Sequence, residues 1–341
     1  MYTNYVIYAN LNLCLFDNNT QTTLLNASGN DLSPEMKTFY ADLLVDNAEP
    51  NLIHDQFGDE YNIPKNGGKV IEFRKYSPLD KALTKLTEGV TPNGNKLNVS
   101  TITAEVDQYG DFIEISDVLD MTAIDPNLEQ ATRLLGSQAG RTLDTVTREV
   151  ITAGTNVMYA PKANGTEILT RATVAADCLL TVKTIFRAAA RLNSMNAPKK
   201  NGSYVAIIHP NVSCDLMTSD DWVDVHKYAT PENIYEGEIG KIGGVRFVES
   251  TEAKIIEDAG ANGISVYCTM VIGENAYART SVKGGGLQFI VKQLGSSGTA
   301  DPLNQRATTG WKAMKVAERL EEMYMIRIEH ASETDPNAES N

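Results

Sequence analysis

The sequence predicts an α+β protein, and three patterns support this class. Two β-rich runs, at residues 69 to 76 and 97 to 116, are separated by polar residues with glycine and proline, which is typical of an extended β-hairpin. An apolar stripe with helical spacing then continues from residue 125 to residue 153. After residue 175 the chain alternates between helical and β periodicity. The length of 341 residues is enough for about two domains or one elaborate domain.

The composition is that of a folded, water-soluble chain. Hydrophobic residues make up 42% and aromatic residues 7%, so neither a disordered nor a fibrous class is favoured. The net charge is −14 and the pI is about 4.8, whereas proteins that bind phosphate backbones tightly collect Lys and Arg into patches. We therefore expect any relation to nucleic acid to be containment rather than tight binding.

The cysteines and the apolar runs bear on the compartment. Cys14, Cys178, Cys214 and Cys268 are dispersed and form no C-x-x-C pair, so we expect reduced thiols in a cytosolic setting. No apolar run approaches the roughly 18 to 20 residues that a membrane span needs. The N-terminal YVIYANLNLCLF is interrupted by two asparagines and has no basic residue before it, so we expect an extension rather than a targeting signal.

The first fifty residues are expected to form an arm that ends in a short helix. Residues 17 to 33 are polar and small, which indicates a flexible segment. Ser33 and Pro34 then provide a helix cap and a first helical residue, and the helix should end near Pro50. Its apolar stripe consists of Phe39, Leu43 and Leu44.

The predicted hairpin changes its buried face part of the way along. Apolar residues occupy even positions up to Val106 and odd positions from Tyr109 onward. A strand whose buried face changes sides must gain a residue, so we predict a β-bulge or sharp bend at 108 to 110, with Gly110 as the permissive position. The outer part, 78 to 101, is polar on both faces and should be either mobile or covered by another molecule.

The long helix has clear start and stop signals. Asp125 and Pro126 form the predicted cap and first turn, and Gly154 ends the stripe. The stripe consists of Leu128, Ala131, Leu135, Ala139, Leu143, Val146 and Val150. Gly136 and Gly140 form a G-x-x-x-G within it, and the surrounding charges favour close packing of a strand or loop over a membrane dimer.

The second half predicts a compact α/β segment followed by a return to β structure. The predicted elements are a helix at 175 to 195, a strand at 204 to 210, a helix opening at Asn211, and strands at 243 to 250, 263 to 273, 286 to 295 and 323 to 330. Residues 310 to 320 fit a helical and a β spacing equally. The acidic segment 331 to 341 is predicted to be a disordered tail.

No motif in the sequence predicts a catalytic, cofactor-binding or metal-binding residue. The phosphate-binding G-x-x-x-x-G-K-[ST] and the nucleophile motif G-x-S-x-G are both absent, and Cys214 and Cys268 have no identifiable partner. GGGLQF at 284 to 289 precedes a strand, so a turn is more probable there than a phosphate site. We therefore predict a chain that is not an enzyme and has no cofactor.

The histidines and one acidic cluster are the remaining candidates for metal binding. The histidines are His54, His209, His226 and His330, and they lie in unrelated segments. Asp220, Asp221, Asp224 and His226 could offer ligands, but the pattern is more typical of a solvated helix end. We therefore predict no metal site.

The order of these segments resembles the major capsid proteins of tailed phages, of the Hong Kong 97-type fold. The resemblance covers about residues 20 to 330, and the sequence is similar to the family that includes the coliphage N-four shell protein. The segments that carry this resemblance are KVIEFRKYSPLDKALTKLTEGVTPNG, STITAEVDQYGDFIEISD, LLGSQAGRTLDTVTRE, AGTNVMYA, YVAIIHPNVSCDL and GEIGKIGGVRFVES.

The resemblance implies a domain organisation. It places an N-terminal extension and N-arm at 1–50, a linker at 51–68, the extended loop at 69–116, a peripheral domain at 117–174 with its spine helix at 125–153, an axial domain at 175–275, a return to the peripheral domain at 276–330 and the tail at 331–341. The arm and the extended loop would cross onto neighbouring subunits, and the loop at 228 to 244 would approach a local symmetry axis. Residues 1 to 16 match nothing in the family, so we expect no role for them.

The resemblance also implies function and partners. The chain would self-assemble into hexamers and pentamers of an icosahedral head that encloses double-stranded DNA, with separate scaffolding, portal and decoration proteins and no membrane. Assembly would take place in the bacterial host cytoplasm. Some members of the fold cross-link lysine to asparagine. No motif carries that chemistry to Lys81, Lys85 or Lys96, so we predict no cross-link. An encapsulin-like compartment protein is the alternative, and an α/β enzyme a more distant one.

Overall fold

A computed structural model describes residues 53–91, 93–122, 127–219, 222, 238–282, 285–292 and 302–341. The predictions for the arm at 17 to 33, its helix at 33 to 50 and most of the loop at 228 to 244 lie outside these residues. No helix in the described ranges is long and apolar enough to cross a membrane.

The described chain is a mixed α and β structure. Its first half contains α1 (Ile53–Gln56), β1 (Asp59–Ile63), β2 (Val70–Tyr76), β3 (Val99–Glu105), β4 (Asp107–Ser116), α2 (Asp117–Thr122), α3 (Asn127–Thr152) and β5 (Val157–Tyr159). Its second half contains α4 (Val182–Ser194), β6 (Tyr204–Ile208), α5 (Pro210–Thr218), β7 (Glu238–Ile242), β8 (Val245–Glu249), β9 (Ile255–Ile256), β10 (Val266–Ile272), β11 (Tyr277–Val282), β12 (Gln288–Lys292), β13 (Arg306–Arg319) and β14 (Met325–His330). The predicted α+β class is confirmed.

One sheet is organised around a single long strand. In the described residues its order is β1-β11-β13-β12, with β4 also paired to β13. The 14-residue β13 is antiparallel to β4, β11 and β12, and β1 lies parallel to β11 at the edge. The ambiguous segment 310 to 320 is therefore mostly strand. The segment 51 to 68, predicted to be a linker, contains α1 and the edge strand β1.

The long helix α3 packs on this sheet. At 26 residues and 1.5 Å per residue it is about 39 Å long. Leu135, Ala139 and Leu143 of its apolar stripe are buried against Trp311 and Ala313 of β13. The helix predicted at 125 to 153 is confirmed for the described residues 127 to 152.

The glycine pair of α3 is not explained by close packing. A Cβ at Gly136 would lie 3.7 Å from the Phe289 ring, which is an ordinary van der Waals contact. A Cβ at Gly140 would meet nothing within 4 Å. β12 therefore packs near Gly136, as predicted for a strand, but neither position requires a glycine.

A second sheet forms the larger core. Its order in the described residues is β5-β14-β10-β6-β8-β7, with β9 on β10. Every residue of β6 and β10 is buried, as expected for strands covered on both faces. Tyr204, Ala206 and Ile208 face the core formed with α4 and α5, whereas Val205 and Ile207 contact the cluster that includes Ile151 at the end of α3. The long helix therefore reaches both sheets.

The change of buried face in the predicted hairpin has a different cause from a bulge. β3 pairs with β2, whereas β4 pairs with β13, and the chain passes between the two sheets at Val106. From Asp107 to Ser116 the register with β13 is continuous, and Gly110 lies opposite Lys312. The predicted bulge at 108 to 110 is wrong, because the inward direction changes when the strand exchanges partners.

Gly110 is required by the close approach of a neighbouring strand. A Cβ there would lie 2.6 Å from the backbone oxygen of Trp311. We predict that Gly110→Ala lowers the free energy of unfolding by roughly 1 to 3 kcal/mol, because the backbones of β4 and β13 must separate. The control is Gly94→Ala, where a Cβ would meet nothing within 4 Å. Urea unfolding of the two variants checks this, and equal midpoints would contradict it.

The segment 331 to 341 is ordered, so the predicted disordered tail is wrong. The Asp215 carboxylate of α5 accepts hydrogen bonds from the Ser332 and Thr334 hydroxyls and from two backbone amides. Arg148 of α3 donates to the side chain and backbone oxygens of Asn341 at 3.0 and 2.7 Å. These hydrogen bonds hold the segment in place together with two apolar contacts, because Ala331 is buried in a core cluster and Ala338 packs against the main core.

Candidate assembly surface

The β2-β3 hairpin forms a separate two-stranded sheet with one half-buried face. In β2 exposed and half-buried residues alternate. The ring of Phe73 contacts that of Tyr61 edge to face, with centroids 5.2 Å apart, and Lys75 forms an ion pair with Glu321. These contacts orient the base of the hairpin relative to the body.

Beyond the paired strands the hairpin tip is exposed and carries apolar side chains. The described residues from 77 to 98 contain no strand or helix, and all are exposed. Leu83 is 83% exposed and Leu86 is 77% exposed, which leaves almost their whole side chains in water. The other large apolar side chains of the tip are Leu79, Val90 and Leu97. The prediction that this stretch is polar on both faces is therefore wrong for the first half of the tip.

A second exposed apolar surface lies on the face of the five-stranded sheet opposite α3. The register places Phe112, Gly310 and Ile290 in one row across β4, β13 and β12. Phe112 is 64% exposed, and the row lies in a groove of about 570 Å³. The charged residues along the groove are Asp111, Glu114, Lys292 and Arg306. This row could not be found from the sequence, because it depends on which strands become neighbours.

A buried polar cluster fastens α1, the first described element, to α3 and β13. The backbone amide of His54 donates to Asp144 Oδ1 at 2.9 Å, and its Nδ1 lies 2.6 Å from Asp144 Oδ2. Lys315 forms an ion pair with Asp55 and donates to the Leu143 carbonyl at 2.8 Å. Burial lowers the pKa of Lys315, although the Asp55 carboxylate opposes this shift. The cluster therefore fixes the position of α1 on the body.

The histidines in the described residues serve structural roles. His54 belongs to the cluster above, and His209 caps α5 by accepting from the Asn211 amide, so the helix opens one residue earlier than Asn211. His330 is fully buried, with Nε2 2.8 Å from Thr269 Oγ1.

The thiols are free, and no metal centre is visible in the ranges that the structure covers. Cys178 and Cys268 are buried, Cys214 is exposed, and burial raises the pKa of Cys268 to about 12. The described residues hold no group of three or more His, Cys, Asp or Glu that could bind a metal ion. The acidic cluster with His226 lies outside them.

His330 should make the folded chain sensitive to acid. Burial lowers its pKa from 6.5 to about 4. Below pH 6.5 the unfolded chain binds a proton that the folded chain does not accept until about pH 4, so the free energy of unfolding falls as the pH decreases through this window. The total loss should be roughly 3 kcal/mol. Nearby Asp215 and Glu329 favour the protonated form and limit the loss.

Urea unfolding between these two pH values checks this prediction. We expect the wild type to lose more stability than His330→Gln. The carboxylates still titrate in this variant, so the difference between the two proteins reports His330 alone. Identical pH slopes in the two proteins would show that His330 does not titrate on unfolding.

Comparison with known proteins identifies the class of protein to which this chain belongs. The model of a protein family described as phage capsid protein matches residues 99–319 of this sequence. No curated protein sequence matches. Among solved structures, the capsid of Ralstonia phage GP4 is similar with a TM-score of 0.68 and 14% identity, covering 92% of this chain and 100% of the other.

Two cyanophage capsids are similar to a comparable extent. The P-SCSP1u capsid matches with a TM-score of 0.63 and 16% identity over 91% of this chain and 93% of its own. The Pam1 capsid matches with a TM-score of 0.62 and 14% identity over 83% and 89%. Identities this low show the fold alone.

Two β-sheets joined by a long helix, with a hairpin extended from the body, form the fold of tailed-phage capsid proteins of the Hong Kong 97 type. The chain belongs to the phage capsid protein family, whose model matches more than half of its length. Its role is structural, as a major capsid protein of the virion. These matches do not favour the alternative of an encapsulin-like compartment.

Proposed function

We propose that this chain forms the hexamers and pentamers of an icosahedral phage head that encloses double-stranded DNA. The observation that carries the proposal is the exposed hairpin tip. Exposed leucines add no stability to a subunit that is alone in water. A subunit that places its hairpin on a neighbour buries them. Each buried side chain of this size contributes roughly 1.5 to 3 kcal/mol before the cost of ordering the tip is subtracted.

The other exposed surfaces fit the same arrangement. The apolar row at Phe112 and Ile290 offers a second area that neighbouring copies can cover. In this proposal α3 and the five-stranded sheet form the peripheral domain, and the seven-stranded sheet with α4 and α5 forms the axial domain. The N-terminal arm would cross to a neighbouring subunit from α1, whose position is fixed by its contacts with α3 and β13.

The charge supports containment of DNA rather than binding. With a net charge of −14, the subunit repels phosphate, and DNA can slide along an inner wall that does not bind it tightly. We include separate scaffolding, portal and decoration proteins in the proposal. Assembly in the reducing host cytoplasm agrees with the free thiols of Cys178, Cys214 and Cys268.

We further propose that the chain has no catalytic activity. His330 has its pKa lowered by burial, and the Cys268 thiol has its pKa raised, so neither group is suited to reaction near neutral pH. The family role requires only assembly.

The direct test is assembly of the purified chain, with and without a scaffolding protein from the same phage. Light scattering and electron microscopy should show closed shells of uniform diameter. A chain that remains monomeric and folded in both conditions, across salt concentration and pH, would refute the proposed function.

A further inference from the structure

The first half of the hairpin tip has the sequence of a helix, although the structure has no helix there. Residues 77 to 90 read SPLDKALTKLTEGV, and their apolar residues are Leu79, Leu83, Leu86 and Val90. The successive spacings of four, three and four place these side chains on one face of an α-helix. In the described structure the segment contains no helix, and all four side chains are exposed.

The start of the segment carries a helix N-terminal signal. Ser77 is a preferred N-cap residue, and Pro78 would occupy the first helical position, where its missing N–H costs nothing. Asp80 lies three residues after Ser77, as in a capping box, and places negative charge in the first turn. The three residues together form a signature that a β-ribbon does not need.

The end of the segment carries the matching stop signal. Gly89 already has a φ of 76°, the left-handed conformation of a residue that follows a helix C-terminus. Val90 then provides the apolar residue that commonly packs back onto the last turn. In the described structure its amide donates to the carbonyl of Thr87 at 3.1 Å, which is the hydrogen bond of a β-turn rather than of a helix C-terminus. Gly89 therefore already has the conformation that the cap needs, whereas the hydrogen bond of Val90 would have to change.

The length explains why no helix forms in the free chain. A helix from Pro78 to Glu88 has only about 11 residues, and isolated helices shorter than about 12 to 15 residues are marginal in water. Nothing in the described chain covers the apolar stripe, since the four side chains remain exposed. A surface that buries the stripe would supply the missing stabilisation.

We propose that residues 78 to 88 fold into an amphipathic helix when the hairpin docks on a second copy of this chain. The inference rests on the proposed function, because the family assembles from copies of one subunit and the hairpin extends away from its own body. The helix would bury Leu79, Leu83 and Leu86 and expose Lys81 and Lys85. The segment stays non-helical in the free chain, which delays burial of the leucines until a neighbour is present.

Proline substitution tests the helix without disturbing the free chain. Ala82→Pro places proline in the interior of the proposed helix, whereas in the described structure the Ala82 side chain is exposed and its amide donates no backbone hydrogen bond. We expect the concentration at which shells form to rise roughly a hundredfold, which corresponds to about 3 kcal/mol per subunit. Asn95→Pro is the control, because it lies in the same exposed tip outside the proposed helix and should assemble like the wild type.

A second variant should act in the opposite direction. Thr84→Ala with Thr87→Ala raises the helix propensity at two positions outside the stripe and should lower the required concentration roughly fivefold. In hydrogen exchange, the amides of 82 to 88 should be unprotected in free subunits and protected in shells.

The outcomes separate this proposal from the function on which it rests. Failure of the wild type to form shells would refute the proposed function. Shells that form equally well with Ala82→Pro, or amides of 82 to 88 that exchange freely in wild-type shells, would refute the helix alone. Matched melting temperatures of the free variants exclude a folding defect.

Discussion

Deletion of residues 84 to 96 is expected to leave the subunit folded and to abolish shell formation. These residues lie beyond the paired strands β2 and β3, and those that the structure describes are exposed. Removing them therefore takes nothing from either core, whereas it removes Leu86, Val90 and half of the proposed helix. Circular dichroism and thermal unfolding should match the wild type, and electron microscopy should show no shells.

Charge substitutions provide a matched control for the deletion. Leu83→Asp with Leu86→Asp adds two charges to the apolar side of the tip, and Thr84→Asp with Thr87→Asp adds the same two charges one residue further along. Only the first pair should prevent assembly, because in the proposed arrangement a neighbour buries only the leucines. Loss of folding in the deletion variant, or normal shells from it, would contradict the role of the tip.

Asp55→Ala is expected to lower the free energy of unfolding by roughly 3 to 5 kcal/mol. The side chains of Asp55 and Lys315 are 12% and 9% exposed, so the substitution leaves an almost buried ammonium without its counter-ion. Lys315→Met in the same chain removes that charge and should restore most of the loss. Urea unfolding of the two single variants and the double variant gives the coupling energy.

An exposed ion pair serves as the comparison for this cycle. Arg306 and Glu114 lie 3.4 Å apart, and each side chain is about half exposed. Glu114→Ala should cost less than about 1 kcal/mol, because water screens both charges. Additive effects at Asp55 and Lys315 would show that their contact contributes nothing to stability.

The elements that were predicted well are those with a strong local pattern. Helix α3 has seven apolar residues at helical spacing, and β6 is an uninterrupted apolar run, so neither depends on knowing its neighbours. β13 was ambiguous because Met314, Val316 and Leu320 fit both periods. Its three partner strands select the extended form, and no local sequence signal contains that information.

The incorrect predictions concern sequence patterns that are real but whose structural cause lies in residues distant in the chain. The change of buried face near Tyr109 is real, yet a sequence cannot distinguish an inserted residue from an exchange of partner strands. The order of 331 to 341 comes from Asp215 and Arg148, which are distant in the chain. At the tip, Leu79, Leu83 and Leu86 have helical spacing although they lie between two β-rich runs.

The cluster at α1 also has a consequence for synthesis of the chain. Asp55 pairs with Lys315, which lies 260 positions later, and His54 accepts from Tyr277, 223 positions later. At roughly 5 to 20 residues per second, a ribosome needs more than about ten seconds to supply these partners. Until then α1 is held by the earlier contacts of this cluster, such as those of His54 with Asp144. A nascent or prematurely terminated chain therefore lacks the full set of contacts at α1, which forms only in chains that have been synthesised past β13.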